Sequence, residues 1–221
     1  METPLMIFLH GPGQSPPVWQ DVVGAINPEQ PMIAPWLKGL KPTEHEGFNM
    51  DRAVASVSDQ MQARGAEIAD IVGYSLGGLV ALRFALAYPD KVAHLVLIST
   101  PVVPGQKTLT KQRMIVKLTP ASLFKGVGKE QVLAGLDALV DANLGVDLKQ
   151  LTTPTLAIAA EGDALGHSNA ELLAHEANAF TRYLPGSDPD LLKTEPARLA
   201  QLIADFCADF LDSEDNKPTP E

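Results

Sequence analysis

Four short runs, residues 5–9, 68–72, 94–98 and 155–160, are predominantly apolar and are bounded by turn-forming residues such as His10-Gly11-Pro12-Gly13. A strand with one wet face would alternate apolar and polar positions, so runs like these read as strands buried on both faces. Amphipathic patterns at helical spacing fall between and around them, at 18–26, 50–64, 76–88, 170–177 and 196–211. Strand alternating with helix predicts an α/β fold built on a parallel sheet, whose ligand site lies at the carboxyl ends of the strands. One stretch breaks the alternation. Residues 101–150 carry helical patterns at 107–118 and 129–143 and no convincing strand, which predicts a helical cap inserted over one end of the sheet. The expected organisation is a core formed by 1–100 and 151–211, a cap at 101–150, and a disordered tail at 212–221, where Pro218 and Pro220 occur and no large apolar residue does.

With 221 residues and 45% hydrophobic content, the chain can bury one sizeable core. Its net charge of −10 repels phosphate backbones, which argues against nucleic acid as a partner. The cap region departs from that balance, because Lys107, Lys111, Arg113, Lys117, Lys125 and Lys129 all precede its first acid, Glu130. Such a run is either a solvated helix face or a patch that meets an anionic ligand or an acidic carrier. The single cysteine, Cys207, excludes a disulfide framework and a cysteine-based zinc site, and its apolar neighbours make it a core thiol. No metal ligand set or organic cofactor is implied, and neither of the common glycine-rich nucleotide motifs occurs. No stretch approaches the roughly 20 apolar residues of a membrane span, and the start lacks a basic leader, so the expectation is a soluble cytoplasmic protein without a membrane partner. Nothing in the sequence speaks to oligomeric state.

The chemistry centres on Gly73-Tyr74-Ser75-Leu76-Gly77-Gly78, which joins the run at 68–72 to the helical pattern at 76–88. A Gly-x-Ser-x-Gly turn between strand and helix holds its serine in strained geometry, and the glycines let helix and strand approach closely. The amino end of the helix then favours negative charge on the serine oxygen or on a bound acyl oxygen.

In this motif, in Phe8-Leu9-His10-Gly11-Pro12-Gly13, in Tyr88-Pro89-Asp90-Lys91-Val92 leading into Leu95-Val96-Leu97-Ile98, and in 154–163, the chain resembles the α/β-hydrolase superfamily from about residue 5 to 211. The resemblance implies a mostly parallel sheet of about six strands flanked by helices, with Ser75 as nucleophile at its crest. It implies Asp163, just past the fourth run, as the triad acid. An oxyanion hole would come from the N–H of Leu76 and the loop at Gly11 and Gly13, and His10, Trp36 and Tyr74 would line the pocket.

Two departures stand out. Where the family places its histidine the chain reads Leu184-Pro185-Gly186-Ser187-Asp188-Pro189-Asp190, with Pro189 in the imidazole's position and no histidine after His175. Pro12 follows His-Gly, so one expected oxyanion donor has no N–H. His167, four residues past Asp163, is the first candidate for a replacement base; a helix-start histidine without that role is the alternative. His10, His45, His94 and His175 are weaker substitutes. Two functions follow. One is a weak serine hydrolase of a small carboxylic ester or thioester, with an anionic acyl group suggested by the basic run. The other is a catalytically impaired homologue that binds a small apolar or anionic ligand.

Overall fold

A computed structural model describes residues 4–26, 29–44, 46–124, 126–141 and 148–208. His45, Lys125, the far end of the helix expected to reach 143, and the tail at 212–221 lie outside these. Six strands form one parallel sheet: β1 (Leu5–Leu9), β2 (Met32–Ile33), β3 (Ala69–Tyr74), β4 (Val92–Ile98), β5 (Thr155–Ala160) and β6 (Phe180–Leu184), in the order β2-β1-β3-β4-β5-β6. The four apolar runs are its four central strands. β1 and β5 are buried at every position, because helices cover both faces. The two strands that the runs do not reveal are the edges. β2 has two residues and β6 is half-buried through Phe180, Thr181, Arg182 and Tyr183, so neither needed a continuous apolar run.

Alternate strand residues build two cores. Ile7, Leu9, Ile71, Leu95, Leu97 and Ala159 point to one face, with Val57 and Met61 of α2 (Met50–Gln62) and the apolar side chains of α3 (Leu76–Ala87). Phe8, Val72, Val96 and Ile158 point to the other. There they meet Val22 of α1 (Gln20–Val23) and Leu199, Ile203 and Phe206 of the carboxyl-terminal helix at Pro196–Cys207. α3 is apolar almost all round because it sits between the sheet and other helices, with Leu79, Val80, Leu82 and Phe84 fully buried.

Among the described residues, the 101–150 stretch holds helices and no strand: α4 (Gln106–Leu118) packs on α5 (Lys129–Asp141), and α5 also contacts α3. The remaining helices are α6 (Ala164–Ala177), the short α7 (Leu191–Thr194) and α8, the helix at Pro196–Cys207. α6 begins six residues before its amphipathic pattern does, with Asp163 at its N-cap position and no side-chain capping bond. No described helix is long and apolar enough to cross a membrane.

Candidate active site

The parallel arrangement brings His10 after β1, Ser75 after β3, Ser99 after β4, Asp163 after β5 and the 185–190 loop after β6 to one edge of the sheet. Ser75 has φ 52° and ψ −115°, a conformation costing a non-glycine residue on the order of 1–3 kcal/mol. The surroundings hold it there. Its N–H donates to Ile98 O at 3.0 Å, and its carbonyl accepts from the Leu79 N–H at 3.2 Å in the first turn of α3. The motif's glycines are needed for contact. A Cβ on Gly73 would lie 2.5 Å from the Gly78 Cα, one on Gly77 would lie 2.1 Å from the Leu9 carbonyl oxygen, and one on Gly78 would lie 1.9 Å from Thr100 Oγ1. β3, α3 and the end of β1 thus meet with no room for side chains, leaving the Ser75 side chain half-buried at the crest.

Leu76 is the first residue of α3, so its N–H has no partner within the helix and is directed out of its amino end. The facing loop is more constrained. The Gly11 N–H donates to Gln14 Oε1 at 2.9 Å, Pro12 has none, and Gly13 takes the left-handed φ of 76°. α5 lies directly on this loop. A Cβ on Gly135 would approach Pro12 Cβ to 2.7 Å and Leu76 Cδ2 to 3.3 Å, while Val132 faces Gly13.

His10 is fully buried and both ring nitrogens are used: Nδ1–H donates to Gly11 O at 2.9 Å, and Nε2 accepts from the Leu37 N–H at 3.2 Å. Burial lowers its pKa, with the bond to Gly11 acting in the opposite sense, so the ring is a neutral strut between the loop and the chain after β2. Half-buried Trp36 meets it edge-on, with centroids 5.3 Å apart.

Asp163 is half-buried, and its Oδ2 lies where a Cβ on Gly166 would come within 2.5 Å, against the first turn of α6. The structure does not bring His167 to Ser75. Its ring stacks on Tyr183 of β6, with centroids 4.1 Å apart and planes 11° apart, and its Nδ1 lies 3.4 Å from Glu171 Oε1. Three strand spacings separate β6 from β3, roughly 14 Å. His175 is exposed beside Glu176, and His94 lies near the opposite ends of the strands. None of the described histidines is positioned as a base for Ser75.

The loop that lacks the histidine closes on the site through its backbone. Pro189 O accepts from Tyr74 Oη at 3.2 Å and from Ser99 Oγ at 3.0 Å. The Tyr74 ring covers Gly11, where a Cβ would come within 3.0 Å of Cδ1. Burial first, then Asp190, Asp188 and Asp163, push the Tyr74 phenol well above its usual pKa, so it stays protonated and donates. Asp190 is itself shifted upward by burial and by Asp188, and its Oδ1 is buried without a hydrogen-bond partner. Ser99, Gln14, Gly135 and Asp190 carry no motif, and only tertiary contacts bring them here. Ser99 shares the positive φ of Ser75, at 44°.

Residues 4–137 match the family model described as alpha/beta hydrolase fold. The chain belongs to that family. A 1-acylglycerol-3-phosphate O-acyltransferase of Sus scrofa is 26% identical over 67% of this chain, which spans 44% of that protein's length. A pimeloyl-[acyl-carrier protein] methyl ester esterase of Aliivibrio salmonicida is 27% identical, with 79% of each chain covered. The chain spans less than half the length of several curated relatives it matches. Among solved structures, the enol-lactonase of Burkholderia xenovorans LB400 superposes with TM-score 0.80 at 15% identity over 95% of this chain and 93% of that one, a likeness of fold. This α/β-hydrolase therefore keeps the family's sheet and its strained serine turn without a described histidine in reach of that serine.

Proposed function

We propose that this α/β-hydrolase is a slow serine hydrolase of a small carboxylic ester or thioester. The observation that carries the reading is Ser75 itself, held at positive φ on the amino end of α3 where glycines let β3, α3 and the end of β1 meet closely. In this reading Ser75 Oγ attacks the acyl carbon. The carbonyl oxygen gains negative charge beside the Leu76 N–H and the α3 amino end, with Gly13 as the second donor in place of Gly11 and Pro12. The Ser75 proton goes to a carboxylate gathered about Tyr74. Asp190 is best suited, because it follows the Pro189 carbonyl that Tyr74 and Ser99 hold, its Oδ1 is buried without a hydrogen-bond partner, and burial and Asp188 raise its pKa, but it remains a weaker base than an imidazole. The alcohol or thiol then leaves as it takes up a proton, and water releases the acid. Esterase and acyltransferase relatives support an acyl-group substrate. In the same reading α4 and α5 form a cap over the acyl pocket.

The missing base favours a second reading, a homologue that uses the pocket to hold a small apolar or anionic ligand without turning it over. A fluorophosphonate probe with a short p-nitrophenyl ester separates them. The hydrolase reading expects Ser75 to be labelled, and turnover well below the median enzyme value of about 10 s⁻¹ that disappears in Ser75→Ala. Failure of Ser75 to label, or a Ser75→Ala protein as active as the wild type, overturns it.

A further inference from the structure

At the opposite end of the sheet from Ser75, three residues from three elements converge: Asp70 in β3, His94 in β4 and Cys207 at the end of α8. A donor atom from each lies within 4.8 Å of the others. Asp70 and His94 are 1% and 8% exposed, and Cys207 is half-buried.

The convergence depends on an irregularity in the β3–β4 ladder. Ala69 pairs with Val92 and Ile71 with Leu95, so one residue of β3 faces two of β4. In a regular ladder the next residue after Val92 on its face would be His94. The extra residue turns His94 to the other face instead, beside Asp70, and Val92 and Leu95 both remain in the core of the first face. Bulges of this kind re-aim a side chain at the cost of local pairing. The result is a bond of 2.8 Å between His94 Nδ1 and Asp70 Oδ1. α8 packs over this second face through Leu199, Ile203 and Phe206, and the next residue after Phe206 is Cys207.

A lone cysteine argued from sequence against a cysteine-based zinc site, but a mixed set of donors from three elements meets here, and we propose that Asp70, His94 and Cys207 bind a thiophilic divalent transition metal of the zinc class. Sulfur, imidazole nitrogen and carboxylate oxygen form a donor set typical of zinc, and two donors on one tetrahedral zinc stand about 3.5 Å apart. Side-chain rotations therefore suffice to bring all three to one ion. A thiolate and a carboxylate with a neutral imidazole carry two negative charges, matching a divalent cation. That match offsets the cost of holding Asp70 in an apolar interior, where charges are paired or coordinate metals. Cys207 is only partly buried, which leaves an entry path from that side. Bound there, the ion pins the carboxyl end of α8 to the sheet, roughly 16 Å from Ser75 at the rise of a strand, so it stabilises the fold without entering the ester chemistry.

The test is a cobalt(II) titration of the full chain, reduced and stripped with chelator. A near-ultraviolet thiolate-to-cobalt absorption should saturate at one ion per chain and vanish when zinc displaces the cobalt. Cys207→Ser should abolish the band, and Asp70→Asn should weaken cobalt affinity about 10–100-fold, whether the carboxylate binds directly or orients the imidazole. Absence of the band, or its survival in Cys207→Ser, overturns the proposal. Alkylation of Cys207 in the wild-type protein by iodoacetamide should slow when zinc is present, and equal rates with and without zinc also overturn it. This measurement is independent of how the variants fold.

Discussion

Replacing Gly77 by alanine tests whether the serine turn is held by steric necessity. The added methyl would lie 2.1 Å from the Leu9 carbonyl oxygen, 2.5 Å from its carbon and 2.7 Å from the His10 carbonyl oxygen, whereas ordinary contact begins at 3.4 Å. The two backbones must therefore separate by about 1.3 Å. Neither can do so cheaply. Leu9 is paired with Gly73 in the middle of the sheet, and Gly77 sits in the first turn of the fully packed α3. Overpacking of this kind costs about 1–3 kcal/mol, and with backbone on both sides the upper end applies. Alanine recovers about 1 kcal/mol of helix propensity, leaving a net loss of about 2 kcal/mol. For a chain of this size that lowers the melting temperature by about 4–8 °C. Thermal unfolding followed by circular dichroism measures it, with Gly47→Ala as the control, because no atom lies within 4 Å of a Cβ at Gly47. A Gly77→Ala protein that melts within about 2 °C of the wild type would refute the steric account.

Two further outcomes follow from charge. Burial holds the folded pKa of His10 below the unfolded value of 6.5, so the unfolded chain takes up a proton first and stability falls as pH drops below that value, by at most about 1.4 kcal/mol per pH unit. The urea midpoint of His10→Gln should therefore drop less than that of the wild type between about pH 7 and about pH 5, and equal drops would show that His10 titrates normally. The basic run is divided in the structure: Arg113 pairs with Asp137 of α5, and Lys129 caps α4 by donating to the carbonyls of Lys117 and Thr119 at 2.8 Å. That leaves Lys107, Lys111 and Lys117 exposed. Charge reversal at these three should raise KM for an anionic acyl ester more than for a neutral one of equal length, and the difference should shrink at salt above physiological, where screening falls below about 8 Å. Equal changes would leave them as a solvated helix face.

The α/β architecture was legible because burial on both faces forces continuous apolar runs, and the four runs became the four central strands. The serine turn was legible for a related reason. Two of its glycines, Gly73 and Gly77, mark backbones that meet without side chains, between β3 and α3 and at Leu9, and a third, Gly78, leaves room for the Thr100 side chain. The edge strands β2 and β6 left no such mark, since one is two residues long and the other half-wet. His167 shows the limit for side chains. Its distance in sequence from Asp163 suggested a base, but Tyr183, which stacks on it, lies on an edge strand that carries no apolar run.

The sequence by itself determined the class of fold, the position of Ser75 at a strand-to-helix turn and the absence of a histidine after His175, because these depend on local pattern and on residue identity. Tertiary structure alone decided that Gly11 gives its N–H to Gln14, that the Pro189 carbonyl is tied to Tyr74 and Ser99, and that Asp70, His94 and Cys207 meet. The reason is physical. A periodic pattern reports which face of an element is buried, but partners far apart in sequence are chosen by strand order, by one extra residue in a ladder and by the angle at which a helix crosses the sheet.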